Sequence, residues 1–544
     1  MYSPENQTKN YSQLFNDIDT GLVKIPQFQR DFVWEKEQTA KLVDSIIKGY
    51  PIGTFIFWKT DEELKTIREI GNLKLPERPK GDKAFYVLDG QQRITSLYAV
   101  RKGCRITRED KEIDYKDIFI DLEKPYDTDE EVVGTEINDG TRRISVFELL
   151  NSSVDKLQLS YADKINEIWR YKEKLSSYIF PIITLNDYPL DIACEVFTRI
   201  NTGGKPLNLF EIMVARTFDE HRKFDLAEKV DLLLEGTDSE RGLRDVKYET
   251  ISSMIILQSI AAYLSGKIKR SDILKIRRND FIDAWEVVKE AIFQAVDFLR
   301  GDLQVRTSHL LPYDAILVAF SYFFIKNKCK RPTANQRKLL QQYLFWTALS
   351  NRFTSGTETK IETDLRKMDK ILNEENPDYR NEDEIKLNIE QLESKIFKTG
   401  DAFSKAILCL LAQFEPRSFE TGNRVDVENA ALRRINSKNY HHFFPKDFLK
   451  KQGYDEFSAN SIVNITIIEG QKNVSIGKKA PSRYISEIKK KNHNLEEILK
   501  THLIDDIETY GINEDDYDKF LKKRGRKILA ELNKRLPKLE KPVV

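Results

Sequence analysis

The sequence predicts a helix-rich α+β protein of several domains, and three observations support this fold class. The chain has 544 residues, enough for about three or four domains of roughly 100–200 residues each. Strand-like and helix-like segments alternate up to about residue 215, and helical periodicity then continues to about residue 425. A basic segment follows. We therefore predict domains at residues 1–215, 216–428 and 429–544.

The first domain is predicted to alternate helices with buried strands. Apolar spacing predicts helices over Tyr11–Asp19 and Lys36–Lys48, with Gly49 as a C-cap. Leu22–Phe28 reads as extended, and Pro26 limits it to a sheet edge or a loop. Apolar and aromatic runs predict the strands, which are Gly53–Trp58, Ala84–Leu88, Ile118–Leu122 and Tyr178–Leu185.

The middle of the chain is predicted to be helical. Apolar residues recur every three or four positions in Asp280–Leu299, Tyr313–Lys326 and Lys338–Leu349. The polar stretch Thr354–Glu384 predicts a loop between helices. A second polar segment, Glu415–Asn429, marks the boundary with the basic segment.

The composition excludes several classes of protein. Hydrophobic residues make up 40% of the chain, and 22 Tyr, 30 Phe and 5 Trp are too many for a disordered protein. The four cysteines form no CxxC pair, which argues against a zinc site or a disulfide framework and favours a reducing compartment.

No segment of the chain reads as a membrane or secretion signal. The N-terminus is polar and lacks the apolar core of a signal peptide. The most apolar stretch, Ile251–Leu264, is too short to span a bilayer and predicts a buried helix. We expect a cytoplasmic protein with no membrane partner.

Charge is distributed unevenly along the chain. The net charge is +1, yet Ala431–Val544 holds 24 Lys and Arg against 16 Asp and Glu. The rest of the chain holds 64 against 71. This asymmetry indicates a nucleic-acid surface near the C-terminus, although lysine runs such as Lys489–Lys491 are also typical of solvated helix faces.

A strand–turn–helix segment, YVLDGQQRITSL, has the features of a phosphate-binding turn. Helix N-termini present unpaired N–H groups that favour anions. Asp89 could bind a divalent cation or orient water, and Arg93 could grip a phosphate with two hydrogen bonds. Gln91 and Gln92 add donors and acceptors. The alternative is an Asp N-cap followed by an ordinary surface helix.

Two further arginines lie beside turns elsewhere in the predicted first domain. Arg30 belongs to IPQFQR, and Arg199 and Asn201 belong to FTRINTGG. A helix ending in a glycine turn is another place where backbone amides meet an anion. With Arg93, these arginines could converge on one triphosphate. The glycine pair could equally be a plain helix C-cap.

Four motifs in this order resemble the DGQQR-type domain of GmrSD-type modification-dependent (type IV) restriction proteins. They are IPQFQRDFVW, GYPIGTFIFW, VLDGQQRITSL and FTRINTGGKPLN, within about residues 10–215. The resemblance implies a ParB/sulfiredoxin-like α/β fold that binds and hydrolyses a nucleoside triphosphate, whether GTP, ATP or another. The nucleotide-binding residues it implies are Asp89, Gly90, Gln91, Gln92 and Arg93, with Arg30, Arg199 and Asn201 as neighbours.

A second constellation lies in the basic segment. His441 and His442 are adjacent, Asn464 follows in SIVNITII and Asn473 in GQKNVSIG. Phosphodiester hydrolysis needs a base for water and a cation for the phosphate. A neutral histidine can be the base, and His and Asn can bind a cation. The alternative is a structural histidine pair with two turn asparagines.

Residues 430–490 resemble an HNH (ββα-metal) endonuclease module. The resemblance implies that His442 is the general base and that His441 and Asn473 bind a divalent cation, Mg²⁺ or Mn²⁺. Asn464 would orient the base or support the loop. His441 stands where Asp or Glu is common, and because a neutral ligand holds Mg²⁺ less well, Mn²⁺ could support activity better.

Together, the two resemblances predict a nucleotide-regulated endonuclease of phage defence that cuts modified double-stranded DNA. The alternative is a nucleotide-dependent sensor of DNA modification whose nuclease is weak or silent. A homodimer remains open.

Overall fold

The computed structural model describes most of the chain as two compact units. The described residues are 3–27, 32–77, 81–108, 111–125, 130–136, 140–200, 208–379, 385, 387–425, 440–468 and 477–537. The units are Met1–Leu226 and Ala227–Val544. The predicted boundary at 428 and three predicted site residues, Arg30, Asn201 and Asn473, lie outside the described residues. The division into three domains therefore stays a prediction.

A mixed five-stranded sheet organises the first unit. Its strands are β1 (Glu5–Asn10), β2 (Val23–Lys24), β3 (Phe55–Thr60), β6 (Ala84–Asp89) and β12 (Ile179–Asn186). Across the sheet they lie in the order β1, β12, β3, β6, β2. The pairs β12–β3 and β2–β6 are parallel, and the other two pairs are antiparallel. The predicted strands of this sheet are confirmed, with β2 at an edge. Strand β1 was not predicted, because its residues are polar and lack strand alternation.

Within its described residues, the first unit also contains shorter strands and several α-helices. The strands are β4 (Glu69–Ile70), β5 (Leu73–Lys74), β7 (Arg105–Arg108), β8 (Lys111–Asp114), β9 (Phe119–Asp121), β10 (Val133–Gly134) and β11 (Arg143–Ser145). The helices are α1 (Tyr11–Asp19), α2 (Lys36–Ile47), α3 (Gln91–Lys102), α4 (Val146–Asn151), α5 (Val154–Ser160), α6 (Ile165–Ser177), α7 (Leu190–Ile200) and α8 (Leu209–Thr217). Helices α1, α2 and α3 begin at or next to the predicted positions.

Helices dominate the second unit. They are α9 (Leu226–Glu235), α10 (Ser253–Ser265), α11 (Arg270–Ile273), α12 (Arg278–Gly301), α13 (Ala315–Lys326), α14 (Ala334–Leu349), α15 (Thr357–Leu372), α16 (Ile389–Ser394), α17 (Ala402–Gln413), α18 (Lys446–Lys451), α19 (Glu456–Ala459), α20 (Pro481–Lys489), α21 (Leu495–Lys500) and α22 (Tyr517–Asn533). One two-stranded antiparallel ribbon lies among them, β13 (Tyr440–His442) with β14 (Ile465–Ile467).

The polar stretch predicted to hold a loop between helices also contains a helix that was not predicted. This helix is α15, whose apolar side chains Ile361, Leu365, Met368 and Ile371 are buried. Their spacing of four, three and three residues places them on one helix face. The many charged residues between them obscured this stripe, and part of that charge is itself buried, as in Asp364.

Helix α10 covers most of the stretch Ile251–Leu264 that was predicted to be a buried helix, and its residues from Ile255 to Ala262 are all buried. Helix α13 is more apolar still, and nearly all of its residues are buried. In the part of the chain that the structure describes, no helix combines the length and the apolar character needed to cross a membrane.

Candidate functional sites

The turn between β6 and α3 requires a glycine. Gly90 has φ +91°, in the left-handed region that side-chain-bearing residues rarely adopt. A Cβ atom at this position would lie 2.2 Å from Cδ1 of Phe55 on β3. The close approach of the turn to β3 is thus possible only without a side chain.

The guanidinium of Arg93 is bound to the protein itself. Nη1 donates to the carbonyl oxygen of Ile52 at 2.6 Å, and Nη2 donates to that of Thr54 at 3.0 Å. Nη2 also donates to Oδ2 of Asp89 at 3.1 Å. Burial lowers the pKa of Arg93, and the charge of Asp89 opposes that shift. The guanidinium expected to bind phosphate therefore joins the turn to the segment before β3 in this structure.

Gln92 connects this turn with the segment that follows the IPQFQR motif. Its Oε1 accepts a hydrogen bond from the backbone N–H of Val33 at 2.9 Å. Two motifs far apart in sequence therefore meet at the start of α3. Residues 28–31, which include Arg30, are outside the described part.

A cavity of about 1310 Å³ lies beside the start of α3. Gln27, Thr66 and Gln91 contribute polar groups to its lining, and isoleucine side chains form much of its wall. Two lining cations already have carboxylate partners, since Lys65 pairs with Asp225 and Arg68 with Glu220. Glu35 and Glu69 also line the cavity, so it offers carboxylate, amide and hydroxyl groups beside an apolar wall.

Arg199 lies near the end of α7, one residue before its last residue, as the sequence predicts. Its Nε donates to Oε1 of Glu195 at 2.8 Å, and its side chain is 78% exposed. Within the described ranges, no hydrogen bond joins Arg199 to the Asp89–Arg93 turn. Of the three arginines expected to converge, Arg93 and Arg199 are described, and no hydrogen bond joins them to each other.

In the second unit, the paired strands carry the histidines. His441 lies opposite Thr466 and His442 opposite Ile465 in the antiparallel register. A 3-10 turn, Ile462–Asn464, leads directly into β14, and α20 begins at Pro481. The segment between β14 and α20 that carries Asn473 lies outside the described residues, so the helix expected to follow the two strands stays a prediction.

His442 is held as a neutral imidazole. Its Nε2 lies 2.8 Å from Oδ1 of Asn460. Burial lowers the pKa of His442 to about 4, the hydrogen bond to Asn460 opposes that shift, and the nearby charge of Lys446 adds to it. The ring is therefore unprotonated near pH 7, which is the form that a general base needs.

Asn464 is fully buried and fastens two turns together. Its Oδ1 accepts from the N–H of Phe444 at 2.8 Å, and its Nδ2 donates to the carbonyl oxygens of Phe444 and Ala459 at 2.9 and 3.1 Å. Of the two roles expected for Asn464, these contacts correspond to support of the loop. The side chain that bonds to His442 is Asn460, which the sequence analysis missed because it belongs to no motif.

His441 faces aromatic rings and is 1% exposed. Its ring centroid lies 6.0 Å from that of Tyr484 on α20 and 6.4 Å from that of Phe419. Among the described residues, no group of three or more His, Cys, Asp and Glu side chains could hold a metal ion. The other expected ligand, Asn473, lies outside them. The expected cation site therefore stays a prediction.

Lysines precede and follow α20 along the chain. Lys478 pairs with Asp447 at 3.2 Å, and Lys479 pairs with Glu487 at 2.6 Å. Lys490 and Lys491 are exposed at the end of the helix. These positions are consistent with both readings of the lysine run, a solvated face and a phosphate-binding surface.

Comparison with known proteins relates the first unit to a restriction family. Residues 11–218 match the family model described as the N-terminal domain of the GmrSD restriction endonuclease. Over nearly its whole length, the chain is also similar to an uncharacterized protein of Methanocaldococcus jannaschii. The two are 24% identical over 591 residues of alignment, which covers 97% of this chain and 98% of the relative. The family match supports the relationship to GmrSD that the motifs indicate.

Proposed function

We propose that this protein is a nucleotide-regulated, modification-dependent DNA endonuclease of anti-phage defence. The observation that carries the proposal is the match of residues 11–218 to the N-terminal domain of a restriction endonuclease family. The strand–strand–helix arrangement around His442 supplies a candidate cutting site in the second unit.

In the proposed cutting step, His442 is the general base. Its imidazole is neutral because burial lowers its pKa to about 4, so it can take a proton from the water that attacks the phosphodiester. Asn464 keeps the backbone after β13 in place through its contacts with Phe444. A divalent cation, held by His441 and Asn473, would stabilise negative charge on the phosphate.

The proposed nucleotide site is the start of α3 with the adjoining cavity. Asp89, Gly90 and Gln91 present the N-terminus of a 12-residue helix, which favours the phosphates of GTP, ATP or another nucleoside triphosphate. Gln27 and Gln91 line the cavity and can hydrogen-bond to the rest of the nucleotide. Arg30, Arg199 and Asn201 stay candidate neighbours from the motif resemblance.

The test is a cleavage assay with matched histidine variants. The full-length protein is incubated with unmodified plasmid or with phage DNA containing glucosylated hydroxymethylcytosine, with Mg²⁺ or Mn²⁺ and with or without each nucleotide. We expect His442→Ala to abolish cutting of the modified DNA and to leave nucleotide turnover unchanged. The control is His493→Ala, because His493 is an exposed histidine of the same unit.

The outcomes separate the proposal from its alternative. If the His442→Ala variant cuts modified DNA at the normal rate, His442 is not the general base. Nucleotide turnover and tight DNA binding without cutting, under either cation and with differently modified DNAs, would favour a sensor of DNA modification with a silent nuclease. Cutting that does not respond to any nucleotide would contradict the regulatory part of the proposal.

A further inference from the structure

Asn460 lies where it can decide which ring nitrogen of His442 carries the proton. A neutral imidazole has one N–H donor and one unprotonated nitrogen, and a base acts through the unprotonated one. The partner of Nε2 is Oδ1 of Asn460, at 2.8 Å. In the described part of the chain, no hydrogen bond reaches Nδ1 of this ring.

The amide of Asn460 is itself oriented by a second contact. Its Nδ2 donates to the carbonyl oxygen of Phe397 at 3.1 Å. A carbonyl oxygen can only accept, so the nitrogen of the amide must face Phe397 and the oxygen must face His442. An amide oxygen is likewise only an acceptor. Nε2 of His442 must therefore be the donor, and the lone pair lies on Nδ1.

The backbone around Asn460 is held by the segment 393–397, which we call the support segment. The N–H of Phe397 donates to the carbonyl oxygen of Asn460 at 2.9 Å. The N–H of Ile462 donates to the carbonyl oxygen of Lys395 at 2.8 Å, and Oγ of Ser461 donates to that of Glu393 at 2.7 Å. These contacts hold the backbone of Asn460 and of the two residues after it, and the amide itself bonds to Phe397, so the Asn460 side chain has little freedom to turn away.

We propose that Asn460 is a positioning residue for the base: held by Phe397, it keeps His442 in the Nε2–H tautomer and leaves Nδ1 to accept the proton of the attacking water. This inference rests on the proposed role of His442 in cutting. It also assigns the support segment a role, because that segment fixes the amide that orients the ring. A residue of this kind acts through another, so its loss lowers kcat and leaves the KM for DNA unchanged.

Two substitutions of Asn460 distinguish its effect on the tautomer of His442 from its contact with the Phe397 carbonyl oxygen. Asn460→Leu and Asn460→Asp both lose the donor to the Phe397 carbonyl oxygen, and only Leu also loses the acceptor for His442. The readout is the ¹⁵N spectrum of the full-length protein labelled at histidine, recorded at pH 8. The signals of His442 are identified by their absence in His442→Gln. The chemical shift of each ring nitrogen reports whether it carries a proton.

The expected result is one tautomer, Nε2–H, in the wild type and in Asn460→Asp, and a mixture of tautomers in Asn460→Leu. We expect kcat for cutting to fall about 10-fold to 100-fold in the Leu variant, in the range typical of residues that orient a functional histidine, and to fall less in the Asp variant. An Nδ1–H tautomer in the wild type would overturn the inference, as would an unchanged spectrum with unchanged kcat in Asn460→Leu. If the wild type cuts no DNA, the proposed function fails, while the spectra still decide what Asn460 does to His442.

Discussion

The guanidinium of Arg93 lies over the ring of Phe55, with 4.9 Å between Cζ and the ring centroid. A Cβ atom at position 90 would overlap the same ring. Phe55 is fully buried in the central sheet of the first unit. The DGQQR turn is thus packed onto β3 by two independent contacts, and the shape of the candidate nucleotide site depends on that packing.

Gly90→Ala should destabilise the first unit more than Gly81→Ala does. The two glycines have φ of +91° and +92°, so both substitutions carry the same backbone strain, about 1–3 kcal/mol. Only the Cβ at position 90 meets a neighbour, since nothing lies within 4 Å at position 81. Hydrogen exchange of the β6 and α3 amides would measure the difference, which we expect to be about 1–3 kcal/mol. Equal protection in both variants would contradict the clash.

Arg93→Ala should lower both the stability of the first unit and its nucleotide affinity. The substitution removes donors to the carbonyl oxygens of Ile52 and Thr54, so two acceptors lose their partner. Arg199→Ala should leave the fold intact, because that side chain is exposed and pairs only with Glu195 of its own helix. Thermal unfolding with and without nucleotide distinguishes the two effects. A fully stable Arg93→Ala variant would mean that the guanidinium is free for phosphate after all.

Cutting should remain active at unusually low pH. Burial lowers the pKa of His442 to about 4, against the ordinary 6.5. The base acts only when unprotonated, so the rate should decline as the pH falls through about 4 and should be nearly constant between pH 6 and 7. The pH profile of the single-turnover rate at saturating DNA measures this. An acid limb centred near pH 6.5 would indicate a solvent-exposed base.

The second unit should lose stability as the pH falls below 6.5. His502 is fully buried, and burial lowers its pKa to about 3, while the hydrogen bond to the Arg417 carbonyl oxygen opposes that shift. Between these values the unfolded chain binds a proton that the folded chain does not, so the free energy of unfolding decreases towards acid pH. The decrease is fully developed only near the folded pKa. We expect His502→Gln to reduce this dependence in denaturant titrations between pH 4 and 7, with His493→Ala as the unchanged control. The slope that remains includes the contribution of His442, whose pKa is also lowered by burial.

Asp364→Asn should destabilise the second unit by about 3–5 kcal/mol, the usual cost of breaking a buried ion pair. The carboxylate accepts from Arg352 through both oxygens at 2.7 Å and from Lys367 at 2.9 Å. All three side chains are nearly inaccessible, so its loss leaves two buried cations without their shared anion. Asp280→Asn is the control, because its partner Arg277 is 82% exposed and the pair should contribute less than about 1 kcal/mol. Equal losses of unfolding free energy in the two variants would contradict the claim that burial makes the Asp364 pairs the stronger ones.

Local patterns in the sequence were enough to predict most of the elements that carry the two candidate sites. The apolar runs of β3 and β6, the glycine between β6 and α3, and the spacing within α2 and α12 all depend on residues close together in the chain. The histidines likewise appear on a short strand, as the spacing predicts, whereas Asn464 lies in the turn just before the second strand. Helix α15 was missed because buried charges interrupted its apolar stripe.

The partners of the site residues depend on contacts between distant parts of the chain, and no local pattern encodes them. Arg93 binds carbonyl oxygens 41 and 39 residues away, and His442 bonds to Asn460, whose amide is in turn oriented by a carbonyl oxygen 63 residues away. The sequence identifies chemically capable groups because chemistry belongs to residue types. Only the tertiary structure shows that Arg93 bonds to the backbone before β3 and that Asn460 bonds to His442, because hydrogen-bond partners and burial are fixed when separate elements pack together.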